Sequence, residues 1–162
     1  MDVIVDKDTD SLIICDYENT QVVRWPRQGG TSGETIIPNI DCLSLMIDNQ
    51  GFLYISSPSE NVIRRWRVED NGIGTVIAGG NGAGDCLNQL NRAFHIFVNR
   101  DHSIYGSDCS NHRAVYWMKN SKEGIVVTGG QGEGNHLTQC SCPHGVIADQ
   151  LDTVYVAKLG NN

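Results

Sequence analysis

Three stretches of this chain, LIICDYENTQVVRW (residues 12–25), LYISSPSENVIRRW (53–66) and IYGSDCSNHRAVYW (104–117), align without a gap over 14 positions, and each ends on a tryptophan. A fourth, VYVAKLGNN, begins at Val154 and runs to the last residue. The copies start 41, 51 and 50 residues apart. Between the later copies the match continues, because TVIAGGNGAGDCLNQLNR (75–92) lines up with IVVTGGQGEGNHLTQCSC (125–142). Self-similarity at 40 to 50 residues marks propeller blades or helical arrays, and the local pattern decides between them. Each copy holds short runs of β-branched and aromatic residues bounded by Gly, Asn and Asp, and no window carries helical periodicity. In the third copy the runs predict strands around 95–99, 104–108, 113–119 and 124–128, with a turn at Ser110-Asn111-His112.

The fold class expected is therefore all-β, built of propeller blades of four antiparallel strands. Blade boundaries fall near 1–41, 42–91, 92–141 and, for a partial fourth blade, 142–162. Blades pack on both faces, so inner strands should be apolar on both sides, as VIVD, LIIC and VVR are. Trp25, Trp66 and Trp117 read as packing between blades, where large aromatics contribute most.

Length and composition agree. At 162 residues there is room for one ordinary domain, and 18 glycines against 4 prolines fit a globular chain rich in turns. The net charge is -7; six acids precede residue 19, and the rest balances at 13 acidic against 11 basic residues. That balance disfavours a nucleic-acid partner. No run approaches the roughly 18 apolar residues of a membrane helix, so membrane insertion is not expected. Six cysteines, at 15, 42, 86, 109, 140 and 142, permit disulfides and tilt the compartment slightly towards an extracellular one, but equally suit small buried hydrophobes.

Pro143-His144-Gly145-Val146-Ile147-Ala148-Asp149, then Val154-Tyr155-Val156-Ala157, and Ser110-Asn111-His112-Arg113 carry a resemblance to the NHL repeat. It is strongest in the third and fourth copies and weakest in the first, where Thr20 and Gln21 replace the His-Arg pair. The resemblance implies a six-bladed propeller. A ring needs at least about four blades to protect its strand edges. Three blades and a piece ending at Gly160-Asn161-Asn162 imply an incomplete ring, which the remaining blades of a longer protein or a second copy would close.

Several groupings suggest chemistry. GGNGAGD (79–85) and GGQGEGN (129–135) look like phosphate loops, but no helix pattern follows, so they read as turns in which glycine supplies positive φ. His136, Cys140, Cys142 and His144 gather four soft-metal ligands within nine residues, yet structural zinc sites favour C-x2-4-C knuckles over C-x-C. His144 sits in a Pro-His-Gly similar to the zinc-ligand motif of the peptide-amidating lyases. The corresponding triplets are Cys42-Leu43-Ser44 and Ala93-Phe94-His95, so neither metal nor cofactor is expected. Asp6 to Ser11 begins like a calcium loop but lacks its glycine and its closing glutamate. Arg64-Arg65-Trp66-Arg67 divides between two sheet faces and makes no single basic patch.

These readings converge on a non-catalytic module that presents loops of one propeller face to a protein, peptide or glycan. The binding residues expected are Asn61, Asn111, His112, Arg113, His136 and His144. The alternatives are a metal-dependent lyase or hydrolase of the six-bladed type and an RNA-binding NHL domain.

Overall fold

The structure, a computed structural model, describes residues 2–67, 72–134, 136 and 138–158. The Gly160-Asn161-Asn162 end, Asn135 and Leu137 lie outside the described residues. The described residues build three four-stranded antiparallel sheets and one two-stranded sheet, each in chain order. The first holds β1 (Val3–Asp6), β2 (Ser11–Asp16), β3 (Gln21–Pro26) and β4 (Glu34–Pro38). The second holds β5 (Ser44–Ile47), β6 (Phe52–Ser57), β7 (Val62–Arg67) and β8 (Thr75–Gly79). The third holds β9 (Ala93–Val98), β10 (Ile104–Asp108), β11 (Arg113–Trp117) and β12 (Ile125–Gly129), and the fourth β13 (Pro143–Ala148) and β14 (Val154–Lys158). This is an all-β propeller segment whose ring is not closed.

The repeat register survives at the level of single backbone torsions. The turn from first to second strand places Asp10, Gly51, His102 and Asp152 in the left-handed region, and these positions are related by the repeat. The turn from second to third strand does the same with Thr20, Asn61 and His112, at φ 50, 55 and 53. A β-branched threonine is a costly occupant of that region, so at Thr20 the turn geometry is imposed by the ladder on either side. A bulge between third and fourth strands also recurs, at Val22/Val23, Ile63/Arg64 and Ala114/Val115. Such bulges increase local twist, as a propeller blade requires.

Strand alternation divides each inner strand between two interfaces. Leu53 and Ile55 of β6 pack with Ile13, Cys15, Val22 and Ile37 of the first sheet, while Tyr54 faces the third sheet with Ile63, Ile96, Ile104 and Val115. Trp66 seals the first of these interfaces and Trp117 the second, at 4% and 1% exposure. Trp25 departs from the expectation of burial. It lies on the outer face of the first sheet with Val3 and Val5 and is 37% exposed.

The first strands of successive sheets lie side by side: β1 by β5, β5 by β9, β9 by β13. Their inner edges would leave backbone N–H groups without ladder partners. Side chains of the neighbouring blade supply them. The Leu45 N–H donates to Asp2 Oδ2 (3.1 Å), Ile96 N–H to Ser44 Oγ (3.4 Å) and Val146 N–H to His95 Nδ1 (3.4 Å). Two disulfides, Cys15–Cys42 and Cys109–Cys142, also join each time the second-strand end of one sheet to the start of the next. Loops of this size, 27 and 33 residues, correspond to about 3.5 kcal/mol of stabilisation each. Cys86 is free and exposed, Cys140 free and buried.

At the opposite ends of the strands an acid braces the turn from first to second strand. Asp6 accepts from the Asp8 N–H and the Thr9 hydroxyl, which accounts for the calcium-like spacing without an ion. Asp48 does more: it accepts from the Gln50 and Phe52 amides and from the Tyr54 hydroxyl (3.0 Å), and it pairs with His102 Nδ1 of the third sheet (3.0 Å). Burial pushes the Asp48 carboxyl up, but these donors together outweigh it and hold its pKa below the usual value. A depressed carboxylate stabilises the fold above its unfolded pKa, and that stability is lost as pH falls through the folded one. Asp48→Asn should therefore be less stable than the parent at pH 6, and the gap should narrow below about pH 4. Urea midpoints measured across that range check it; a gap that does not change with pH would show that Asp48 contributes no protonation-linked stability.

Candidate functional site

The loops at the start of each first strand and the turns between second and third strands meet on one face. In the third sheet, Asp108, at the end of β10, accepts from the Asn91 N–H (2.7 Å), Asn111 Nδ2 (2.8 Å) and Arg113 Nε (2.7 Å). Arg113 also donates to the carbonyls of Asp85 (2.6 Å), Cys86 and Gln89 (3.2 Å each). Burial pushes the Asp108 carboxyl above its ordinary pKa, against the opposing pull of Asn111, Asn91 and Arg113. In the first sheet Asp16, Asn19 and Gln21 repeat the arrangement with a neutral partner, and here Gln21 and then Asn19 hold the carboxyl of Asp16 low. The second sheet has Ser57 at the aspartate position. The acid has moved to the incoming loop, where Asp41 accepts from the Ser57 hydroxyl and the Ser59 N–H.

These bonds show where the expected binding residues stand. Arg113 is buried, its guanidinium committed to Asp108 and three backbone carbonyls. Asn111 is tied to Asp108 and to the Gly84 carbonyl (2.8 Å), and Asn61 Oδ1 accepts from the Arg92 N–H (3.0 Å). Together they hold the glycine-rich loop 79–92 in shape, and Gln89 Nε2 closes that loop on the Asn81 carbonyl (2.9 Å). Gln139 makes the matching bond to Gln131 in the next loop. His112 Nδ1 accepts from the Cys142 N–H (3.2 Å). His136 is exposed at the rim of its loop.

His144 is exposed on β13, its ring edge-on to Phe94 with centroids 5.0 Å apart. The four ligands gathered within nine residues of sequence do not assemble. Cys140 is buried near Lys158, and the atoms that do converge are those of Cys109, Cys142 and His144, all within 4.8 Å of one another. Cys142 sits at φ 31, which breaks the strand alternation that would have set residues 140, 142 and 144 on one side.

Between the first three sheets the same face opens into a cleft of about 570 Å³, lined by Tyr17, Leu43, Pro58, Asn61, Arg92 and Phe94, with Ser59, Ala83 and Asn91. The Arg92 guanidinium lies 5.2 Å from the centroid of the Phe94 ring. Among the described residues, no carboxylate and no histidine lines the cleft. Asn61 belongs to it; Tyr17, Arg92 and Phe94 carry no motif, and only their places in the repeat, in the turn after a second strand or at the start of a first one, could have pointed to them. On another side of the molecule the basic cluster is divided: Arg65 and Arg67 stack over Phe52 (4.7 and 5.3 Å), while Arg64 pairs with Glu60 at 3.0 Å.

No protein-family model matches the chain, and no curated protein matches it in sequence. Solved structures do match in fold. They include an auxiliary nutrient binding protein from Bacteroides thetaiotaomicron (TM-score 0.72, 13% identity, 95% of this chain and 44% of that one). A chain of the nidogen/laminin complex matches with TM-score 0.66 and 18% identity, over 93% of this chain and 53% of that one. A gluconolactonase from Xanthomonas campestris matches with TM-score 0.70 and 16% identity, over 94% and 52%. The chain thus has the fold of β-propeller proteins and spans about half the length of these neighbours.

Proposed function

We propose that this chain is part of a six-bladed propeller of the NHL type and serves as a non-catalytic module that binds a protein or peptide segment in the loop-face cleft. The observation that carries the reading is the composition of that cleft. Tyr17, Leu43, Pro58 and Phe94 offer apolar and aromatic surface, Asn61 and Asn91 are amides, and Arg92 is its one charged side chain among the described residues. Aromatic anchors beside a lone arginine suit a peptide with an apolar side chain next to an acidic one. The gluconolactonase neighbour makes a hydrolase the rival. A binding role is preferred because, among the described residues, the cleft is lined by apolar surface, amides and one arginine, with no carboxylate or histidine placed to act as a base.

A random peptide display library selected on the chain, with binders then measured on Tyr17→Ala and Arg92→Ala, tests the reading. Selected peptides should lose about tenfold in affinity or more on each variant, the cost of about 1.4 kcal/mol expected for a central anchor. Peptides that bind both variants as well as the parent would place recognition elsewhere and overturn it.

A further inference from the structure

The cluster of Cys109, Cys142 and His144 is not explained by peptide binding. Its ligand atoms come from two sheets: Cys109 from the 3-10 turn Cys109–Asn111 after β10, Cys142 from the residue before β13, and His144 from β13 itself. The packing of β9 and β10 against β13 brings them together, and the bond from the Cys142 N–H to His112 Nδ1 fixes the backbone between them. Three sulfur and nitrogen donors within 4.8 Å are close to what a tetrahedral zinc ion needs, since bonds of about 2.0–2.3 Å imply donor separations of about 3.3–3.8 Å. The two sulfurs are bonded to each other here, so the arrangement can serve an ion only after reduction, when rotation about the cysteine Cα–Cβ bonds parts them. The two free thiols do not share this setting: neither Cys86 nor Cys140 joins this cluster.

We propose that Cys109, Cys142 and His144 form a redox-gated site for a thiophilic divalent cation such as Zn²⁺. With the Cys109–Cys142 bond reduced, two thiolates and the His144 imidazole bind the ion and leave its fourth position to solvent, because His144 is exposed. Binding releases the two thiol protons. The disulfide and the metal are alternatives, because both use the same two sulfur atoms. A low-molecular-weight disulfide oxidant converts one state into the other. One thiolate attacks its S–S bond, giving a mixed disulfide and one released thiolate. The second cysteine then displaces the other half of the oxidant, closing Cys109–Cys142. The protein gives up two electrons, the oxidant becomes two thiols by taking two protons from water, and the cation leaves.

The test uses the full chain with Cys86→Ser and Cys140→Ser as parent, so that neither free thiol contributes. Zn²⁺ affinity is measured by competition with a chromophoric chelator, after reduction with a phosphine and again after oxidation. The reduced parent should bind one Zn²⁺ more than a Cys109→Ser/Cys142→Ser variant, and the oxidised parent should lose that ion. His144→Ala should weaken it by tenfold or more. Ligands from Cys15 and Cys42, also freed by the reductant, are common to all variants and cancel in the comparison. If reduction unfolds the chain, the same comparison is read as Zn²⁺-dependent recovery of its circular dichroism, which His144→Ala should lack. A reduced parent that binds no more Zn²⁺ than the double serine variant, or a His144→Ala variant that matches the parent, would reduce the cluster to a plain disulfide.

Discussion

Replacing Arg113 with methionine is expected to destabilise the chain by about 3–5 kcal/mol, the range for breaking a buried ion pair from one side. Methionine keeps most of the apolar stem, so the loss is that of the guanidinium rather than of volume. The guanidinium sits against Asp108, whose side chain is fully buried, and its other two nitrogens are bonded to the Asp85, Cys86 and Gln89 carbonyls. Without it, Asp108 must stay buried with only the Asn91 and Asn111 donors or take up a proton. Either way the loop 79–92 loses its tether. The urea midpoint should fall with little change in slope. Two comparisons make the prediction specific. Adding Asp108→Asn to the Arg113→Met variant should recover about 1 kcal/mol or more, since it removes the unpaired charge. Gln21→Met, at the same repeat position but beside Asp16, should lower the midpoint far less, since Gln21 gives up only neutral-group hydrogen bonds, one donated to Asp16 and one accepted from the Thr35 hydroxyl, and leaves no buried charge behind. Equal losses at Arg113 and Gln21 would refute the buried-pair account.

Arg113 also shows what a sequence of this kind does and does not disclose. The Ser-Asn-His-Arg turn is visible as a motif, and its left-handed residue recurs at Thr20, Asn61 and His112, as the repeat spacing requires. Strand order follows from the same spacing, because turn chemistry and β-branched runs are local properties. Apart from Asp108, the partners of the arginine are not local. They are backbone carbonyls 24 to 28 residues upstream, and no side-chain pattern marks a carbonyl as an acceptor. For the same reason a motif that looks available for a ligand becomes a brace in three dimensions, while the cleft takes Tyr17 from the first sheet and Arg92 and Phe94 from the segment that enters the third. Cysteine pairing is likewise set by which strand end meets which loop. Cys142 therefore meets Cys109 of the preceding sheet rather than its sequence neighbour Cys140.

The three tryptophans that define the repeat should separate into two classes when each is changed to alanine. Trp117, 1% exposed, packs with Ile63, Ile96 and Ile104 between the second and third sheets, and its loss should cost about 3–5 kcal/mol. Trp66 should behave alike and give up in addition the bond from its Nε1–H to the Gly72 carbonyl (3.2 Å). Trp25, with 37% of its surface already in water, should cost about 1 kcal/mol. The cavity at Trp117 has little means of collapsing, because the main chain already lies flat on the ring. A Cβ at Gly124 would come within 2.8 Å of Trp117 Cε2, and Gly74 and Gly33 are pressed as closely on Trp66 and Trp25. A glycine before the fourth strand is thus part of the repeat, as much a mate to the tryptophan as the strand that carries it. Because Trp25 has the same glycine but, among the described residues, no sheet over its ring, comparing Trp25→Ala with Trp117→Ala isolates what a neighbouring blade contributes. Should a further blade or a second copy cover the first sheet, the Trp25→Ala cost must rise towards that of Trp117→Ala; a cost that stays near 1 kcal/mol in such an assembly would mean that the face of Trp25 is left open there.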